Sequence, residues 1–174
     1  DLSHAGKQTC LDAIEFSNKP VAISHANPNF FHKSKRNIDT DILQKLVKKN
    51  GFIGLSLYPY HLKNLGDCTI EDFCEMIKEL VNLIGEDNIG IGSDLCLNWP
   101  DDVVMWMRNG KWTKNIDYGE SKDKNPKWPK LPSWYKQPSD LNNLFFLMCE
   151  NNIPEKVSTK IIGQNWFNFM KNQF

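Results

Sequence analysis

Residues 52–94 read FIGLSLYPYHLKNLGDCTIEDFCEMIKELVNLIGEDNIGIGSD, and this stretch decides the fold. It opens on an apolar run, Phe52 to Leu57, stopped by Tyr58-Pro59, and closes on a second run, Asn88 to Ser93, that ends in Asp94. Between them Thr69 and Asp72 predict a capped helix start. Phe73, Ile77, Leu80, Val81 and Ile84 follow at helical spacing, and Gly85 stops the helix. Strands that are apolar throughout and separated by helices belong to a parallel sheet covered on its faces, because a half-solvated antiparallel strand would alternate.

The pattern continues upstream. Asp1–His4 reads as the tail of a strand, and Val21-Ala22-Ile23-Ser24-His25 as a further short strand. Thr9 with Asp12 predicts a helix from Cys10 to about Asn18, closed by Pro20, and Asp39 or Thr40 caps a helix carrying Ile42, Leu43, Leu46 and Val47. The strand ends His25, Tyr58 and Asp94 recur about every 30 residues, a step that both doubly wound sheets and (β/α)8 barrels produce. No GxGxxG or GxxxxGK[ST] turn follows a strand, so a nucleotide site is disfavoured. Downstream, helices are expected at about Asp140–Asn151 and from Pro154 onward, with a break near Gly163.

Residues 95–138 differ in kind. They carry Trp99, Trp106, Trp112, Trp128 and Trp134 and five of the nine prolines, and are read as an ordered loop insertion with a helical turn at Asp101–Arg108. Packing of those rings over the fold is favoured over stacking on a ligand. Across the chain, 21 Lys+Arg balance 21 Asp+Glu, which argues against nucleic acid or an anionic membrane as the main partner. No apolar run approaches the length of a transmembrane segment. Five scattered cysteines without a CxxC pair fit a reducing compartment, so a cytoplasmic location is expected rather than a secreted one.

Chemistry on a parallel sheet gathers at the C-terminal strand ends, which here present His4, His25, Tyr58 and Asp94. Two imidazoles on successive strand ends could share a metal, although two ligands do not complete a zinc site. A carboxylate closing an apolar strand needs a metal, a cation or a proton-transfer role. Arg36, in the loop after the His25 strand, is placed to reach the same mouth; basic residues are Lys everywhere except at Arg36 and Arg108, so a fork is placed there against the bias. His32 and His61 fall in predicted loops and are expected to be solvated.

Together DLSHAG, PVAISHAN, KRN followed by Asp39, GIGSD and the closing IIGQNWFNFM resemble the membrane (renal) dipeptidase family of zinc metallopeptidases, in its bacterial-type branch. The resemblance implies the C-terminal half of a metal-dependent (β/α)8 (TIM) barrel, about strands 5–8 with the closing helices, over residues 1–174. It implies hydrolysis of dipeptides, including ones with a C-terminal D-residue, at two zinc ions whose remaining ligands lie upstream of Asp1. By the same resemblance His4 and His25 are metal ligands, Arg36 binds the substrate carboxylate, and Asp94 touches the substrate and handles the proton. A small zwitterionic dipeptide is the expected partner and a homodimer the expected assembly. The sequence departs from the family where Leu95-Cys96-Leu97-Asn98 replaces the usual continuation after Ser93-Asp94. Two other functions compete: a metal-dependent amidohydrolase acting on a non-peptide amide, and a metal-free barrel serving as a binding module. On its own this half is expected to be inactive.

Overall fold

The computed structural model describes residues 1–104 and 127–173. Three parallel strands, β1 (Ala22–Ala26), β2 (Phe52–Leu55) and β3 (Ile89–Ile91), lie in the order β1-β2-β3. They are joined by α2 (Thr40–Lys48) and α3 (Ile70–Ile84), while α1 (Lys7–Phe16) precedes β1. The chain closes with α4 (Leu141–Glu150), α5 (Glu155–Thr159) and α6 (Asn165–Lys171).

The strands follow from the apolar runs. Ile23, Ile53, Leu55 and Ile89 are inaccessible and pack with Leu43 and Leu46 of α2 and Phe73, Ile77 and Leu80 of α3. Burying such side chains contributes roughly 1.5–3 kcal/mol each before ordering costs. On β2 the intervening residues point the other way: Phe52 stacks on Trp166 and Phe169 of α6, with ring centroids 4.2 and 5.2 Å apart.

Helix α3 starts as its sequence predicts, Thr69 Oγ1 accepting from the Asp72 amide at 3.1 Å, and Gly85 ends it at φ 82°. Helix α2 starts after Asp39, but the Asp39 carboxylate does not cap it. It binds Lys7 at 2.8 Å and Asn29 at 2.6 Å instead. Helix α1 begins a turn before the expected Thr9 cap, at Lys7 after an extended Gly6, because the tight turn at residues 1–6 already points the chain into the helix. Near Gly163 the closing helix does not break. It widens into a π turn over Lys160–Gln164 and continues into α6.

Asp1–His4 is a turn rather than a strand, with one ladder-like bond from the Leu2 amide to the Ala22 carbonyl at 2.8 Å. It therefore covers the outer edge of β1 mostly by side chains. The outer edge of β3 is covered likewise: its carbonyls Ile89 O and Ile91 O accept from Asn165 Nδ2 and Trp166 Nε1, both at 2.8 Å.

In the Trp-rich segment, Trp134 packs as expected. It is 8 % exposed, lies 5.1 Å from the Phe73 ring and donates to the Cys68 carbonyl. Trp99 is exposed; residues 101–104 of the expected Asp101–Arg108 turn are helical, and residues 105–108, Trp106 and Trp112 lie outside the described residues. Cys10, Cys68 and Cys74 are buried and all five cysteines are free thiols. Among the described residues, no helix is long and apolar enough to cross a membrane.

Candidate metal and substrate site

The site is built at the C-terminal ends of the strands, where β1 carries a bulge. Ile23 pairs with Ile53 and Ala26 with Leu55, so one extra residue is inserted in β1 between them. The Ser24 and His25 amides leave the ladder. Ser24 N–H donates to the Asp1 carboxylate at 3.0 Å and His25 N–H to Ser3 Oγ at 3.1 Å. The Ser24 carbonyl swings over the neighbouring strands, where a Cβ on Gly54 or Gly92 would collide with it. Those two glycines make room for the bulge, and the bulge turns His25 toward the mouth.

His4 and His25 meet there, Nε2 to Nε2 at 3.0 Å. Two imidazoles on one tetrahedral metal, each about 2.0–2.1 Å from it, hold their nitrogens about 3.3 Å apart. The pair thus fits as two ligands of one ion. Burial lowers both imidazole pKa values. For His4, Arg36 and His25 add to that effect against Asp94; for His25, Asp94 opposes burial and Arg36 reinforces it. The neutral rings this favours are the forms that can ligate. Among the described residues no set of three candidate ligands converges, so the donor set is partial.

Arg36 lies against this pair. Its Nη1 donates to the Ser3 carbonyl, and its Nη2 is 3.3 Å from His4 Nε2. Asp94 approaches from β3, with Oδ1 4.0 Å from His25 Nε2, at a backbone φ of 53° in the left-handed region. Burial raises its carboxyl pKa, opposed in order by His25, Arg36 and His4. The structure therefore gathers His4, His25, Arg36 and Asp94 at one mouth. Tyr58, at the end of β2, stacks edge-on against His61.

His61 is not solvated as expected. It is 2 % exposed and its Nδ1 lies 2.8 Å from Ser56 Oγ. Its carbonyl accepts from Asn27 Nδ2 at 3.1 Å and Asn37 Nδ2 at 3.0 Å. Asn27 also pairs with the Ser56 backbone in both directions, and its own amide donates to Asn37 Oδ1. This buried network ties the loop that carries Arg36 to the end of β2. The burial of His61 pushes its pKa down to about 3. Sequence reasoning missed this group because its members are 5 to 34 residues apart along the chain and share no local pattern. It also missed Tyr135, buried with its hydroxyl on Ser93 beside Asp94. The serines before both histidines, Ser3 and Ser24, are visible in the sequence, and both donate to the Asp1 carboxylate.

Comparison with known proteins gives this arrangement a family. The family model for membrane dipeptidase, peptidase family M19, matches residues 1–101. Dipeptidase tcpJ of Claviceps purpurea is 27 % identical over 130 residues, 67 % of this chain and 31 % of that protein. An amidohydrolase structure from Pseudomonas aeruginosa superposes with a TM-score of 0.84 at 30 % identity, over 97 % of this chain and 50 % of that one. A Rhodobacter sphaeroides metallopeptidase, liganded with a phosphinate mimic of the dipeptide L-Ala-D-Ala, shares the fold with a TM-score of 0.75 at 19 % identity, over 42 % of its own length. This chain thus spans about a third of the curated relative and about half of the solved structures. Its three parallel strands and their helices form part of a (β/α)8 barrel. With its strand-end histidines, Arg36 loop and Asp94 in that barrel, the chain belongs to the membrane dipeptidase family of metallopeptidases, peptidase family M19.

Proposed function

We propose that the full-length protein is a zinc-dependent dipeptidase and that residues 1–174 supply the second part of its active site. The observation that carries this is the convergence of His4, His25, Arg36 and Asp94 at one mouth. His4 and His25 would hold zinc, two ions being expected when the upstream ligands are present. Bound zinc supplies Lewis acidity and an activated water at neutral pH.

The chain's own residues do the rest. Arg36 binds the substrate's C-terminal carboxylate through a two-donor fork, which limits substrates to short peptides with a free end. Arg36 already lies against His4, its Nη2 3.3 Å from Nε2, so its guanidinium stands beside the residues that would hold the metal. Asp94, 4.0 Å from His25 Nε2, takes the proton of the attacking water and delivers it to the leaving amine. The relative that binds a mimic of L-Ala-D-Ala supports a dipeptide with a C-terminal D-residue as substrate.

The test is turnover of L-Xaa-D-Ala and L-Xaa-L-Ala against acyl amides lacking a carboxylate, with and without chelator. Dipeptide turnover that chelator abolishes, with two zinc ions per chain by metal analysis, is expected. A second reading, a hydrolase of non-peptide amides, draws on the amidohydrolase likeness and requires turnover of the acyl amides alone. Absence of bound metal in the full-length protein would sink both and leave a binding module.

A further inference from the structure

Asp1 accepts four hydrogen bonds from two serines: Ser3 N–H at 3.1 Å, Ser3 Oγ–H at 2.8 Å, Ser24 N–H at 3.0 Å and Ser24 Oγ–H at 2.6 Å. Ser24 Oγ also lies 2.8 Å from His25 Nδ1. A hydroxyl has a single proton and an ionised carboxylate can only accept. With its proton spent on Asp1, Ser24 Oγ must accept from His25, so the proton sits on Nδ1. Nε2 of His25 is then a bare lone pair, aimed at His4 Nε2.

We propose that Asp1 and Ser24 are positioning residues that set the tautomer and orientation of His25, and so build the ligand pair before any metal arrives. The inference rests on the reading of His4 and His25 as metal ligands. Asp1 acts on both histidines. It holds Ser24 directly and Ser3, next to His4, by the same carboxylate, and Ser3 Oγ in turn receives the His25 amide. The His25 ring is therefore braced from Asp1 through Ser24, and the chain beside His4 is tied to the same anion through Ser3. Partners of this kind beyond the ligands themselves alter metal affinity about 10- to 100-fold when removed.

The experiment uses the full-length protein, 15N-labelled at histidine, stripped of metal, and read by long-range 1H–15N NMR. Wild type is expected to show His25 as the Nδ1–H tautomer, and Ser24→Ala to lose that preference. Zinc affinity, measured by competition with a chelator, is expected to fall about 10- to 100-fold in Ser24→Ala and Asp1→Asn and to recover to near wild type in Ser24→Thr, which keeps the hydroxyl. An Nε2–H tautomer in wild type, or unchanged zinc affinity in Ser24→Ala, overturns the proposal. Weakened binding in Ser24→Ala with none in Asp1→Asn removes Asp1 from it. Should Asp1→Asn fail to fold, the alanine and threonine variants of Ser24 decide. If wild type leaves the His4 and His25 resonances unmoved on zinc addition, the dipeptidase reading fails, while the tautomer is still judged from the metal-free spectrum.

Discussion

His25 and His61 make the same local contact and are put to different uses. His25 lies near the end of β1 and His61 in the turn that follows β2, and each faces a serine hydroxyl with Nδ1 at 2.8 Å, Ser24 in one case and Ser56 in the other. The His25 ring, 19 % exposed, faces His4 and Asp94 with its other nitrogen. His61 lies 2 % exposed among Asn27, Asn37 and Ser56 and serves as a post for the Arg36 loop. A serine on Nδ1 fixes a ring; the groups opposite Nε2 decide whether the ring is chemical or structural.

That contrast can be broken most sharply by alanine at each position. His25→Ala should remove more than about 100-fold of hydrolytic activity and a matching share of bound metal, beyond what loss of a supporting partner costs; metal analysis and dipeptide turnover check it together. His61→Ala should leave metal content intact and instead destabilise the full-length protein by about 2–4 kcal/mol, through a void and a Ser56 hydroxyl left with only the Tyr58 amide, read by denaturant unfolding. Equal metal loss in both variants would erase the distinction.

Acid should sharpen it. His61 has a folded pKa near 3 against an ordinary 6.5. Above pH 6.5 it is neutral in both states, so its full contribution is present. As pH falls from 6.5 toward 3 the unfolded chain takes the proton first, and stability drops by about 1.4 kcal/mol per pH unit, about 2 kcal/mol by pH 5. His61→Gln should flatten that part of the stability–pH curve.

Smaller effects probe the surroundings. Arg36→Lys keeps the charge without the fork and should raise KM about 10-fold with kcat little changed. Equal falls in kcat and kcat/KM would instead assign Arg36 to the transition state. Thr69→Ala, away from both histidines, should cost only about 1 kcal/mol of stability with unaltered kinetics, measured by unfolding and turnover.

The strand ends were legible because they depend on local pattern: apolar runs, helix stops and the polar residue that closes each run. His25 and Asp94 were singled out that way; His4 was singled out from a strand tail that is in fact a turn, and Arg36 from its loop and the lysine bias around it. The same T-x-x-D signal succeeded at Thr69 and failed at Thr9, where the turn at Ala5 and Gly6 starts the helix one turn early. The bulge at Ser24 has no signature in β1 itself, since its cause lies in Asp1 on one side and in Gly54 and Gly92 on the other. The burial of His61 likewise depends on asparagines from a distant loop.

The capping of β3 has a consequence for assembly. The carbonyls of Ile89 and Ile91 point away from β2, along the side on which a further barrel strand would join. Asn165 and Trp166 already occupy both. An incoming strand must therefore compete with the protein's own closing helix, exchanging two side-chain donors for main-chain ones. While they stay in place, those two donors close these positions of the edge to a neighbouring molecule's strand.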